Sequence, residues 1–302
     1  MSTVHFTVKA LASPANEAQR PVWSQRTRHV LSTCALLGPV FLFLLACFVA
    51  PLGELLRLSF TSPDGTFASY QSIAATAVYR EVFVNTVVLA FNVAFISVVL
   101  SFPTAYMLTR LKGLALSLAF WCVLFPLWIS VLVRTFAWLL LLGQNGPVNN
   151  ALVGTGLAEQ PQQFLFNSLG VYIGMVHVLL PYALLPIYSA MKNVDVRLMQ
   201  ASDGLGAHPL QTFTRVYLPM TAPGLAAGFL LVFLMALGFF ITPALLGGMK
   251  NVTIAMLIDV FVQEQLVWPL AAAAAFWMLA LVLFLVGLAS RFVNVTSTVA
   301  AR

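Results

Sequence analysis

Asp259, Glu264 and Trp268 have the side-chain types needed to handle a cation where water is scarce. Carboxylates replace lost hydration, and an aromatic face attracts an ammonium group. Glu81 is a weaker candidate of the same kind. Covalent chemistry has no comparable support. His177 and His208 stand alone, without metal-ligand spacing or a partner carboxylate, and read as structural. Cys34, Cys47 and Cys122 lie in apolar runs with no pairing pattern and read as small buried hydrophobes. No glycine-rich phosphate loop ending in Lys-Ser or Lys-Thr occurs, and Gly143-Gln-Asn-Gly and Gly204-Leu-Gly fail that pattern. The expectation is a chain that holds no metal or cofactor of its own and carries no phosphate-loop site.

The elements that must position these residues follow from composition. The chain of 302 residues is 61% hydrophobic and 8% charged, whereas soluble chains carry roughly 25% charged residues. It is therefore an integral membrane protein, all-α. Runs of about 20 apolar residues cross about 30 Å of hydrocarbon. Such runs fall near 30–56, 82–109, 114–142, 171–191, 221–246 and 269–290, which makes six spans after an aperiodic tail at 1–29. Leu44-Leu45-Ala46-Cys47 resembles a lipoprotein processing site, but the apolar run continues past it and five more spans follow, so the first span reads as an uncleaved anchor.

A net charge of +6 raises the question of nucleic acid, yet the cations sit at alternate ends of spans and form no basic patch interleaved with aromatics. Orientation accounts for them. With the N-terminus cytoplasmic, the inside holds Lys9, Arg20, Arg26, Arg28, Arg110, Lys112, Lys192, Arg197, Arg215, Arg291 and Arg302, against Arg57, Arg80 and Lys250 outside. Both termini then lie inside. Arg134 remains within the third span, where a charge faces protein or water. It either pairs with Glu54 or with freed carbonyls, or lines a path. A guanidinium repels cations, so it is not assigned to cation binding.

Pro103, Pro126, Pro181 and Pro186 interrupt helical runs, and each frees a carbonyl. Gly224 and Gly228 permit close helix approach. Turn chemistry at 143–147 predicts a short helix starting at Pro147. The stretch Thr253 to Gln263 is apolar but too short to cross, which predicts an amphipathic or re-entrant helix before Trp268-Pro269 opens the last span.

The most informative segment is the polar loop at 192–220. Val194, Leu198, Ala201 and Leu205 follow helical spacing, and Gly204-Leu205-Gly206 ends that helix. A second helix starts with Pro209 in its first turn and puts Leu210, Phe213 and Tyr217 on one face, with Pro219 and Pro223 closing the unit before the fifth span. Gly206 is the expected corner, because a side chain there would demand a left-handed backbone or block a partner's approach.

This loop resembles the cytoplasmic coupling loop of ATP-binding-cassette importer permeases: Glu-Ala-Ala, three residues, Gly, nine residues, an aliphatic residue, one residue, then Leu-Pro. Gly206, Val216, Leu218 and Pro219 sit at matching offsets, with Gln200 where the pattern has glutamate and Ser202 where it has the second alanine. Pro126 to Trp138, Gly143 to Asn149 and Phe240 to Gly248 are similar to the first permease subunit of spermidine/putrescine importers.

The resemblance implies the type I importer permease fold and a bacterial inner-membrane location. It also implies a polyamine as cargo, a second permease subunit, two ATP-binding cassette subunits using ATP and Mg, and an extracytoplasmic solute-binding protein, with no nucleic acid. Gln200, Ala201, Ser202, Asp203, Gly206, Ala207, Phe213, Leu218 and Pro219 would carry the coupling to the ATPase, and Asp203 and Arg215 could supply charge that Gln200 lacks.

Rival readings stay open. A membrane enzyme would need clustered acids or histidines, and a secondary carrier would need repeated halves and mid-membrane ion ligands. A permease for ferric ion, thiamine or an organophosphonate would share every coupling feature.

Overall fold

The computed structural model describes residues 22–62 and 65–300, with side chains placed for 37–62 and 65–288. The expected tail up to residue 21, the cations Lys9, Arg20 and Arg302, and the side chains of Arg26, Arg28, Cys34 and Arg291 lie outside what is described. Residues up to Leu55 group as one unit and residues from Leu56 as another.

The first unit holds most of α1, Val22–Ser59, which contains Pro39 and Pro51. Its stretch from Leu37 to Ser59 is long and apolar enough to cross a membrane. Phe41 and Phe48 are about two-thirds exposed.

In the second unit, α2 (Ala68–Ala75) leads into α3 (Ala77–Arg110). Then come α4 (Gly113–Leu124), α5 (Val131–Leu141), α6 (Pro147–Gly154) and α7 (Ser168–Lys192). The short α8 (Val196–Gly204) and α9 (Pro209–Thr212) precede α10 (Leu218–Leu237), α11 (Ile241–Leu246) and α12 (Ile254–Asp259), and α13 (Trp268–Ala300) ends the chain. No strand occurs among the described residues. Five helices or helix runs are long and apolar enough to cross a membrane, and a sixth crossing requires a bent pair.

That pair covers the expected third span and breaks it near the middle. A 3-10 turn over Phe125–Trp128 follows α4, then Ile129 is extended and Ser130 lies outside any helix, and α5 leaves at 100° to α4. Pro126 removes one backbone donor, and two non-helical residues complete a break that hydropathy cannot register. Pro103, Pro181 and Pro186, by contrast, sit inside unbroken helices.

The fifth span is shifted as well. Helix runs without interruption from Pro209 to Leu237, stops at Gly238, and resumes as the separate α11. Pro219 and Pro223 therefore do not close the loop unit. A π turn over Phe213–Tyr217, in which the Leu218 amide donates to the Phe213 carbonyl, widens the helix just before Pro219 and makes room for its ring.

The core is a three-helix contact of α3, α7 and α10. Met175, Leu179, Ala183 and Ile187 recur every four residues along α7 and are fully buried against Ala90, Val93 and Ala94 of α3 and Val232 and Ala236 of α10. Gly224 and Gly228 set the distance between α10 and α7. A Cβ on Gly224 would overlap Ala190 Cβ, and one on Gly228 would lie 2.9 Å from the Ala183 carbonyl oxygen. This is the close approach that small residues four apart allow. A second apolar cluster joins Ile73 of α2, Val82 and Phe83 of α3, Phe261 and the start of α13.

Replacing Gly228 with Leu should destabilise the purified chain by about 1–3 kcal/mol, the range for overpacking, and lower its unfolding temperature in detergent. Gly154→Ala, where an added Cβ meets nothing within 4 Å, should leave that temperature nearly unchanged.

Candidate coupling site

The 192–220 segment folds as an elbow built almost wholly from local chemistry. The Asp195 carboxylate accepts the Arg197 amide at 2.9 Å and caps α8. At the other end of α8 the Ala207 amide donates to the Ser202 carbonyl at 3.2 Å and the Gly206 amide to the Asp203 carbonyl at 2.9 Å. Together these form the paired closure of a helix that ends in a left-handed residue. Gly206 is that residue, at φ +81. An added Cβ there would meet nothing within 4 Å, so within this chain the demand for glycine comes from backbone conformation and not from crowding.

The second arm starts at His208. Its Nδ1 accepts the Leu210 amide at 3.4 Å, and Gln211 Oε1 accepts the His208 amide at 3.2 Å. With Pro209 in the first turn, this is a capping box in which histidine takes the usual Ser or Thr place. The sequence reading left His208 without a partner; the signal it missed was Gln three residues on.

Two hydroxyls brace the arms. Thr212 Oγ1 donates to Asp203 Oδ1 at 3.2 Å and lies 3.0 Å from Ser202 Oγ. A hydroxyl has one proton, so with that proton on Asp203 it is Ser202 that donates to Thr212. Ser202 and Asp203 thereby act as struts inside the elbow.

The remaining members of the predicted set fall into two groups. Gln200, Ala201, Gly206 and Pro219 are exposed, whereas Ala207 and Leu218 are partly covered. Phe213 turns toward the bundle: its ring meets Phe102 of α3 edge-on at 5.9 Å and stacks with Tyr217, which in turn meets Tyr106 edge-on at 5.8 Å. Phe213 is part of the seam joining elbow to span. On the outer side of the elbow Leu205 is 89% exposed and Leu210 65%. Of the predicted stripe on α8, Val194 turns into the core while Leu198 and Leu205 face outward.

Away from the elbow, Asp259, Glu264 and Trp268 are all exposed along α12, a π turn over Val260–Glu264 and the first residue of α13. No hydrogen bond or ion pair joins the three. Between them Phe261 is fully buried and meets Tyr79 edge-on at 5.3 Å, which fixes the stretch to α3. Thr86 Oγ1 accepts the Ile254 amide at 3.0 Å and holds the start of α12 in place. Glu81 is exposed near the start of α3, and Glu159, which the sequence reading passed over, borders an open surface cleft after α6.

Arg134 lies in α5 and is 6% exposed, and its Nε and Nη1 have no hydrogen-bond partner among the described residues. The expected bonds to freed carbonyls are not made by these two atoms. Its neighbours are tied down: Thr135 and Thr242 hydroxyls lie 3.1 Å apart across α5 and α11, and Trp138 Nε1 donates to His177 Nδ1 at 3.1 Å across α5 and α7. His177, read as isolated, thus has a partner.

Five or six apolar stretches long enough to cross a membrane, with a two-helix elbow between two of them, make this a multi-pass membrane protein. Residues 72–295 match the family model described as the binding-protein-dependent transport system inner membrane component, and the chain belongs to that family. It is 34% identical over 219 residues to the Spermidine/putrescine transport system permease protein PotB of Escherichia coli K12, covering 72% of this chain and 80% of that one. To the protein of the same name from Haemophilus influenzae it is 31% identical, covering 84% and 93%. The Inner membrane ABC transporter permease protein YdcU of Escherichia coli K12 is also 31% identical, covering 84% and 86%.

Among solved structures, a chain of a bacterial ABC transporter that imports alginate superposes with a TM-score of 0.70 at 20% identity, over 90% of this chain and 98% of that one. The MetNI methionine ABC transporter gives 0.53 at 16%, over 73% and 99%. Both share the fold.

Ser202→Ala should weaken the brace by about 0.5–1.5 kcal/mol, the net worth of one hydrogen bond, and Gly206→Val should cost roughly 1–2 kcal/mol in left-handed strain. Each should appear as faster amide exchange confined to residues 200–212, with the rest of the bundle unchanged.

Proposed function

We propose that the chain is one permease subunit of an ATP-driven importer for a polyamine of the spermidine/putrescine class, placed in a bacterial inner membrane with both termini cytoplasmic. The observation that carries the cargo assignment is the 31–34% identity to PotB proteins over most of the chain. The elbow supports the coupling assignment: two capped helices around a left-handed glycine, apolar outward, and continuous with α10. In this reading a second permease subunit completes the path, a solute-binding protein delivers cargo at the outer loops, and two ATP-binding cassette subunits take Leu205 and Leu210 of such elbows into clefts on their surfaces. ATP and Mg belong to those subunits.

Closure of the ATPase pair draws the elbows together. Because α9, the π turn and α10 are one helix, the movement passes into α10 and, through Gly224 and Gly228, into α7. Alternating access then needs only two arrangements of the bundle with different ATPase contacts. Asp259, Glu264 and Trp268 would attract the cation at the mouth, while the positive charge of Arg134 keeps it from resting along α5.

The test is uptake by the complete importer in proteoliposomes. Radiolabelled spermidine should enter only with ATP inside and binding protein outside, and an Asp259→Asn, Glu264→Gln double variant should reduce uptake about tenfold or more, as expected when paired charges on a cation are removed. ATP-dependent uptake of ferric ion or thiamine in place of spermidine would overturn the cargo assignment. In the same vesicles Gly206→Val should abolish uptake while the chain still inserts and ATP is still hydrolysed; wild-type uptake by that variant would overturn the coupling role.

A further inference from the structure

At the elbow's inner side, α3 ends at Arg110 and α7 at Lys192, and both side chains border one cleft of about 400 Å³ together with Gln200 and Asp203 of α8. Both cations are pre-oriented on aromatic rings: Arg110 donates to the Tyr106 hydroxyl with Cζ 4.9 Å from that ring, and Lys192 Nζ lies 5.9 Å from the Tyr188 ring. Neither has a carboxylate partner among the described residues. Asp203, the one acid on the cleft, accepts the Thr212 hydroxyl and serves the brace. Gln200 stands where the coupling-loop pattern has a glutamate. A carboxylate there would set a second negative charge opposite two positive ones and neutralise the cleft from within; Gln200 leaves it net positive.

We infer that this cleft holds the phosphate of an anionic phospholipid headgroup, which ties α8 to the membrane surface. The cations mark where two apolar spans meet water, the depth at which headgroup phosphates lie. The remaining wall includes Met199, apolar and part of the core packing, which offers a glycerol backbone and acyl stem contact that a free phosphate cannot use. The inference rests on the cleft's own charges and is independent of what the importer carries.

The experiment purifies the full chain from a mixture of equal parts phosphatidylglycerol and phosphatidylcholine and counts retained lipids by native mass spectrometry. The chain should retain the anionic lipid over the zwitterionic one by a factor on the order of ten, the scale for two cations near an anionic surface. The double variant Arg110→Gln, Lys192→Gln should bring the ratio near one. Gln200→Glu, which keeps both cations and is a conservative change on an exposed helix position, should reduce it likewise and keeps the test open if the double variant does not fold. An equal ratio in the unaltered chain, or an unchanged ratio in Gln200→Glu, would overturn the proposal. Excess inorganic phosphate should not displace the retained lipid; displacement would assign the site to free phosphate and overturn the lipid reading.

Discussion

The contact on which the rest of the architecture depends is the approach of α10 to α7 at Gly224 and Gly228. Lipid tails are as apolar as leucine, so helices in a membrane gain little from burying leucine against leucine and are held by close backbone packing. Here a Cβ on either glycine would overlap α7, which means the two helices already touch at backbone distance. A rigid pair follows, with α3 filling its third side through alanines and valines. The loop elements at 241–264, with Thr135, Thr242, Thr86 and Phe261 as fasteners, are positioned on that frame and not the reverse.

Much of this was legible because the signals are local. Pro147 starts a helix where turn chemistry expects it, Trp268 opens the last one, and Gly206 takes the left-handed corner that the elbow's spacing requires. Hydropathy marked the runs that fold as long apolar helices, because a segment in hydrocarbon must satisfy its own backbone. It did not locate their breaks. Between Leu124 and Val131, and again at Gly238 to Phe240, residues stay apolar apart from Ser130 while the backbone leaves the α-helix, and a scale that counts side-chain transfer is blind to that. Proline was a poor guide in the other direction, since Pro219 and Pro223 were read as stops and a widened turn carries the helix through them.

Within the elbow, what escaped the sequence reading was pairing. The Ser202, Thr212 and Asp203 brace connects residues nine and ten apart on different helices, and only the folded corner brings them together. The same holds for Trp138 and His177, thirty-nine residues apart. Ser202 reads in the sequence as a departure from the coupling-loop pattern; in the fold it donates to the brace, and the exposed Asp203 beside it accepts from Thr212.

The open space around Gly206 has a consequence for its chemistry. Since no atom of the chain lies where a Cβ would project, the chain itself selects this corner for handedness and not for bulk. A mirror-image alanine, for which a φ near +81 is the ordinary choice, would suit this position as well as glycine does and would stiffen it, so that a semisynthetic protein carrying it would report how much of the joint's work depends on being able to bend.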